Sequence, residues 1–419
     1  MKSITLAKAH DKSGNILKVT DRHGTSQYEY DGNEQLIKET LPDGTINEYR
    51  YDKVGNRLAS IQNGKVTKFS YNDGNQIIAK NDTNTFTYDA DGNVKKDDQF
   101  IYEYNDLGAQ TKVSTLANKE VAKYEYDEEG LRTKKIVGTK TYEYYYDGED
   151  DHLALEVMKE NDQVQKYRYY QWDENGKAVG MVIQDQDSSG KWRTKTYYFW
   201  TNQRGDVTTI IDHTGAEVGS YTYDAFGNVL SETGTIAKEN QIRYASYYYD
   251  QETKHYYLKA RYYDPQNGNF LALDPHPGDD DDPVSQNGYT YAGNSPISSV
   301  DPDGDYFWLA VSVGVAAYDG YKAYKSKKSW KSAASAAAIG LIGGSKIKAA
   351  KKAGHAVYTL SKGGKVVYVG RTKNIAARKS AHRLGHPDTN FNVVKSGLSY
   401  DVARGLEHRY YLKSGGNVT

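Results

Sequence analysis

The chain has 419 residues, a formal net charge of −1, forty Tyr, three Met and no Cys. A charged fraction of 26% and a hydrophobic fraction of 37% exclude a disordered chain and one built of membrane spans, and without Cys there is no disulfide framework, thiolate metal site or cysteine nucleophile. Nearly one residue in ten is Tyr, a β-favouring aromatic with a polar tip, which predicts extensive half-wet sheet.

Residues 1–240 repeat. Tyr30-Asp31-Gly32-Asn33 is followed by Tyr51-Asp52-Lys53-Val54-Gly55-Asn56 and Tyr71-Asn72-Asp73-Gly74-Asn75, then by Tyr88-Asp89, Tyr104-Asn105, Tyr126-Asp127 and Tyr146-Asp147. The Tyr positions advance by 21, 20, 17, 16, 22 and 20 residues, and Tyr223-Asp224-Ala225-Phe226-Gly227-Asn228 is a well-formed late copy. Alternation such as Thr45-Ile46-Asn47-Glu48-Tyr49-Arg50-Tyr51 predicts a strand, and the Asp, Asn and Gly that follow predict a turn. Each unit is strand, turn, strand, and stacked units form one long coiling sheet whose Tyr pack its faces. His10-Asp11-Lys12-Ser13-Gly14-Asn15 reads as a degenerate copy, and no signal-peptide pattern precedes it. The expectation is a portion of a longer array.

Residues 241–305 differ in texture. They carry Tyr257-Leu258-Lys259-Ala260-Arg261-Tyr262-Tyr263-Asp264-Pro265, Gly268-Asn269-Phe270-Leu271, Asp274-Pro275, Asn287-Gly288-Tyr289-Thr290-Tyr291-Ala292-Gly293-Asn294-Ser295-Pro296 and Asp301-Pro302-Asp303-Gly304. With the repeats, this block resembles the YD-repeat Rhs proteins, in the manner of the wall-associated polymorphic toxins of Gram-positive bacteria. The resemblance implies a mainly β shell around a C-terminal toxin, with the block plugging its end. It also implies aspartyl self-cleavage in many relatives, just after the DPxG motif and a following apolar residue. Asp274 stands at one catalytic position. Thr290 occupies the neighbourhood of the second, and Asp305 stands where the apolar residue is expected.

Residues 306–350 are an Ala/Gly-rich junction, and its apolar run 307–317 is too short for a bilayer span. Residues 351–419 then read as a small α+β domain. Strands over 355–360 and 365–370 join at Gly363-Gly364, a helix runs from Asn374 to His382, a third strand covers Phe391 to Val394, and Ser399 caps a helix reaching about Leu412. The stretch 346–419 holds fifteen Lys and Arg against three Asp and Glu, a module of +12 on a remainder of −13. A compact basic module points to a polyanion.

Ala356-Val357-Tyr358, Tyr368-Val369-Gly370, Arg378, His382 and Glu407 stand at spacings that resemble the GIY-YIG nucleases, with a three-stranded antiparallel sheet implied. The resemblance assigns Tyr358 as general base, Tyr368 and His382 as its hydrogen-bonding or proton-relay partners, Arg378 as a phosphate clamp and Glu407 as ligand of Mg2+ or Mn2+. Phosphodiester hydrolysis needs an activated water and charge neutralisation on the phosphorane. An Arg fork and a single carboxylate ligand suit it. Arg371, Lys373, Lys379 and Arg383 are further backbone contacts. The Asn that the family places after the Glu helix has one candidate, Asn417, close to Thr419, which puts the completeness of the domain in question.

The expectation is a secreted or cell-wall-associated toxin whose nuclease acts in the cytoplasm of a competing cell. DNA is the first substrate and RNA, including tRNA, the alternative. A cognate immunity protein and the rest of a longer Rhs polypeptide are the implied partners. A non-catalytic surface protein that binds carbohydrate or polyanion is the competing class.

Overall fold

A computed structural model describes residues 7–147, 151–274, 284–304, 308–309, 355–362, 365–372, 379 and 388–398. The repeats form two antiparallel sheets in which every strand pairs with its sequence neighbour. One has nine strands, from Ala7–His10 to Thr83–Asn84, and the other fourteen, from Thr87–Tyr88 to Val229–Thr233. Turn chemistry sets this order. In the Asp52 turn, Oδ1 accepts from the backbone N of Val54 (3.0 Å) and Asn56 (2.9 Å), and Oδ2 accepts from Asn56 Nδ2 (2.9 Å). The same bonds recur at Asp11, Asp31, Asp89 and Asp224. Each is an Asx-type turn reinforced by a side-chain amide four residues on.

The tyrosines join one repeat to the next. Before the turn, the first aromatic of the alternating pair is buried at Tyr28, Tyr49, Phe69, Tyr102, Tyr124, Tyr144 and Tyr221. At five turns the second aromatic, a Tyr at the start of the turn, reaches back to the preceding repeat. Tyr30 Oη donates to Ile16 O (3.0 Å), Tyr71 to Arg57 O (3.0 Å), Tyr126 to Gln110 O (2.6 Å), Tyr146 to Arg132 O (2.9 Å) and Tyr223 to Val207 O (3.0 Å). Tyr therefore serves where Phe would not: the ring buries apolar area while the hydroxyl satisfies a backbone carbonyl.

The block after residue 240 packs on the buried face of this wall. Its four short strands, Tyr248–Asp250, His255–Tyr257, Tyr262–Asp264 and Asn269–Phe270, form their own sheet. Tyr248, Tyr257, Tyr262 and Leu271 join the large core of the wall. Near the parting of the two repeat sheets, Val94 N donates to Leu271 O (2.8 Å), which ties the block to the start of the fourteen-stranded sheet. Three of its side chains bind two repeat turns, those opened by Asp52 and Asp89. Asn294 Nδ2 donates to Gly55 O (2.7 Å), Asn287 Nδ2 to Val54 O (3.1 Å), and Tyr289 Oη to Gly92 O (2.7 Å). Gly92, at φ +85°, has no alternative here, since a Cβ would lie 2.8 Å from that hydroxyl. The expected plugging block is thus a set of long-range bonds to turns.

The C-terminal part of the chain holds a three-stranded antiparallel sheet with His355–Lys362 in the centre, flanked by Lys365–Thr372 and Asn390–Leu398. The third strand has nine residues rather than the four expected. Ser396 and Gly397 read as breakers, yet the pairing carries on to His355↔Leu398 through register shifts at 355–358. The expected helices over 374–382 and 399–412 lie outside the described residues, Lys379 excepted.

Candidate functional site

Two places gather candidate chemistry. In the C-terminal sheet the register sets Tyr358 opposite Gly370, Leu360 opposite Tyr368 and Val357 opposite Arg371. The two triads are thereby paired across one hairpin. Tyr358 is fully buried, and its ring lies flat on Phe391 with centroids 4.4 Å apart and planes at 13°. Stacking of that kind fixes a ring, which is the placement a positioned hydroxyl requires. Lys379 is exposed. Lys373, Arg378, His382, Arg383 and Glu407 lie outside the described residues.

The other place is the end of the hallmark block. Arg261 Nη2 donates to Asp274 Oδ2 (2.8 Å) and lies 3.5 Å from Asp301 Oδ2. Its Nη1 donates to Gly288 O (3.0 Å) and its Nε to Gly304 O. The guanidinium also covers the Phe270 ring, 3.8 Å from the centroid. Asp301 is buried, and its Oδ1 accepts from Gly304 N (2.9 Å). Two carboxylates from distant parts of the block therefore meet one guanidinium beside the Gly304 carbonyl. Thr290 instead closes a local turn, its hydroxyl donating to Asn287 O (3.0 Å). The second carboxylate that the sequence did not single out is Asp301. Its signal was present in Asp301-Pro302-Asp303-Gly304, but an Asp that opens a turn reads as turn chemistry alone.

Among the described residues, no group of three or more His, Asp or Glu could hold a metal ion. Nor is any helix among them long and apolar enough to cross a membrane.

The family model of the Teneurin YD-shell matches residues 4–297. The chain belongs to that family. Its YD shell is similar to the tRNA(Glu)-specific nuclease WapA of Bacillus subtilis subsp. natto, 42% identical over 88% of this chain and 15% of that protein. It is also similar to the tRNA3(Ser)-specific nuclease WapA of Bacillus spizizenii, 39% identical over 86% of this chain and 15% of that protein. The tRNA nuclease WapA of Bacillus subtilis strain 168 is 42% identical over 68% of this chain and 12% of that protein. The chain thus spans 12–15% of the length of these relatives. Among solved structures, a chain of the Photorhabdus luminescens Tc holotoxin pore with a TccC3 mutation superposes with a TM-score of 0.59 at 19% identity, over 74% of this chain and 17% of that one. TcdB2-TccC3 without its hypervariable C-terminal region gives 0.57 at 19% identity, over 72% and 17%. At that identity the likeness is one of fold.

Proposed function

We propose that this YD shell is part of a longer Rhs-type toxin, secreted or held at the cell wall, whose residues 351–419 are a GIY-YIG endonuclease cutting tRNA in competing cells. The observation that carries the reading is the pairing of the two triads in one hairpin of a +12 module. DNA, the first expectation, gives way to tRNA because the WapA relatives carry tRNA nuclease names. In this reading Tyr358 takes the proton of the attacking water. Tyr368 and His382 hydrogen-bond or relay protons, and Arg378 clamps the phosphate with Arg371, Lys373, Lys379 and Arg383 along the backbone. Glu407 would hold Mg2+ or Mn2+, which supplies charge neutralisation at the phosphate. The fit rests on donor chemistry, because a hard dication takes one carboxylate and keeps its waters. A cognate immunity protein is the proposed partner, and an acidic one suits the module's charge.

The test is to incubate the full chain with total tRNA and with plasmid, with and without EDTA. The expected result is metal-dependent tRNA cleavage that falls on the order of a hundredfold or more in Glu407→Ala. Salt-sensitive binding with no product at any metal concentration would replace the nuclease with a polyanion-binding protein.

A second activity is favoured by the Arg261 cluster. We propose that Asp274 and Asp301 are the acid pair of a self-cleavage step beyond Gly304. Such a pair works only when its two carboxyls share one proton. Intact mass measurement of the full chain should show a fragment ending near residue 305 that Asp274→Asn lacks. The same fragment in that variant would exclude the pair.

A further inference from the structure

The last complete repeat turn, Asp224–Asn228, touches repeats from the far end of the array. Ala225 and Phe226 share a buried cluster with Ile16, Leu36 and Tyr49. Yet among the described residues no ladder joins the nine-stranded sheet of those early repeats to the fourteen-stranded one before this turn. The contact is a seam held by side chains. Ala225 N donates to Glu39 Oε2 (3.1 Å), and Asn47 Nδ2 donates to the same oxygen (3.0 Å). Phe226 meets Tyr49 edge-on, with centroids 4.9 Å apart, under the Arg57 guanidinium at 3.9 Å. A cavity of about 570 Å³ opens beside it, with Glu39, Arg204, Asp206 and Asp224 in its lining.

The charges do not balance. Glu39, Asp206 and Asp224 are each 1% exposed. They face two guanidiniums, those of Arg57 and Arg204, and Arg204 is paired with Asp206 at 2.5 Å. Three buried carboxyls against two cations leave one uncompensated charge, which is costly at this depth of burial. A proton removes it. Asp224 is the better-solvated anion, because the backbone N of Phe226, the backbone N of Asn228 (2.9 Å) and Asn228 Nδ2 (2.8 Å) all donate to it, against two donors to Glu39. We propose that the seam is a proton-operated latch, in which protonated Glu39 holds the last repeat turn against the first repeats and loss of that proton loosens it.

Burial, and then the neighbouring Asp224, push the Glu39 carboxyl up to about 8. Burial also raises Asp224, and Arg57 opposes that rise. The facing phenols of Tyr28 and Tyr49 are pushed upward by burial and stay neutral. Half-buried Asp21 and exposed His23 and Asp43 also line the cavity. The closed seam keeps a proton that an open, solvated Glu39 releases above the ordinary glutamate range. Opening therefore becomes easier as pH rises from about 5 to about 8, and levels off beyond.

Hydrogen–deuterium exchange of the full chain, corrected for the intrinsic pH dependence of amides, reads this at residues 224–228. The opening equilibrium should rise roughly tenfold per pH unit between about 5 and 8, whereas Glu39→Gln should be flat over that range. A flat wild type, or the same slope in Glu39→Gln, overturns the latch. Should the variant not fold, infrared spectra of the wild type decide. A protonated-carboxyl C=O band present near neutral pH and gone by about pH 9 supports the proposal, and its absence near neutrality overturns it.

Discussion

The repeat wall and the hallmark block are made of similar residues and held by opposite means. In the wall, away from the seam at Glu39 and the Arg22–Glu217 pair, polar bonds of the turns are local: a turn Asp reaches two and four residues on, and a turn Tyr reaches back fourteen or sixteen. In the block they are remote. Tyr289 meets Gly92 across 197 positions, and Asn294 meets Gly55 across 239. Local bonds make each repeat legible and replaceable. Remote ones make the block a single fastening whose loss is felt throughout.

The deepest fastening is Asp250, and its removal should have the largest effect. Asp250 is fully buried between Arg132 Nη1 (2.6 Å) and Lys135 Nζ (2.8 Å), both on one wall strand. The rings of Tyr124, Tyr144, Tyr248 and Tyr257 lie 4.4–5.3 Å from the Arg132 guanidinium. Burial alone would raise the Asp250 carboxyl, but Arg132 and then Lys135 hold it below the usual aspartate range. Asp250→Asn strands the buried Arg132 and leaves Lys135 with Glu252 alone (2.9 Å), and is expected to cost on the order of 3–5 kcal/mol in urea unfolding. The sign with pH follows. The stabilisation is complete above the ordinary aspartate range and is lost as pH falls through the depressed folded value.

A repeat turn should give way by less. Asp52→Ala removes two bonds to backbone N–H groups and one to Asn56, for a loss of about 1–2 kcal/mol. Asp127→Ala should cost less, because the residue four on is Leu131, which offers no amide. A loss at Asp52 as large as that at Asp250 would break the distinction between wall and block.

That distinction also explains what the sequence disclosed. Strands and turns were legible because their determinants lie within a few residues: Tyr-X-Tyr alternation, then Asp, Gly and Asn. The C-terminal hairpin was legible for the same reason, whereas the length of its third strand depended on pairing with His355. Asp250, Asp301 and Glu39 were not legible. Each looks like an ordinary surface carboxylate until folding brings it against Arg132, Arg261 or the Asp224 turn. The reach of Tyr30, Tyr71, Tyr126, Tyr146 and Tyr223 was hidden too, because the acceptor is a backbone carbonyl, and carbonyls leave no mark in sequence.

The smallest effect sits next to the largest. Lys134 and Lys135 are neighbours on Arg132–Val137, and alternation along the strand sends them to opposite faces. Lys135, 3% exposed, turns to Asp250, while Lys134 meets Glu125 across the ladder at 2.7 Å with both partners open to solvent. Lys38–Glu29 and Lys112–Glu103 repeat that outer pair at the same place in other repeats. Recurrence of a pair on a strand face reflects register, and exposure to water and salt screens its attraction. Lys134→Met should leave the unfolding midpoint unmoved at physiological salt, whereas Lys135→Met should lower it clearly. Equal responses would mean that the face of the sheet does not decide what a charge is worth here.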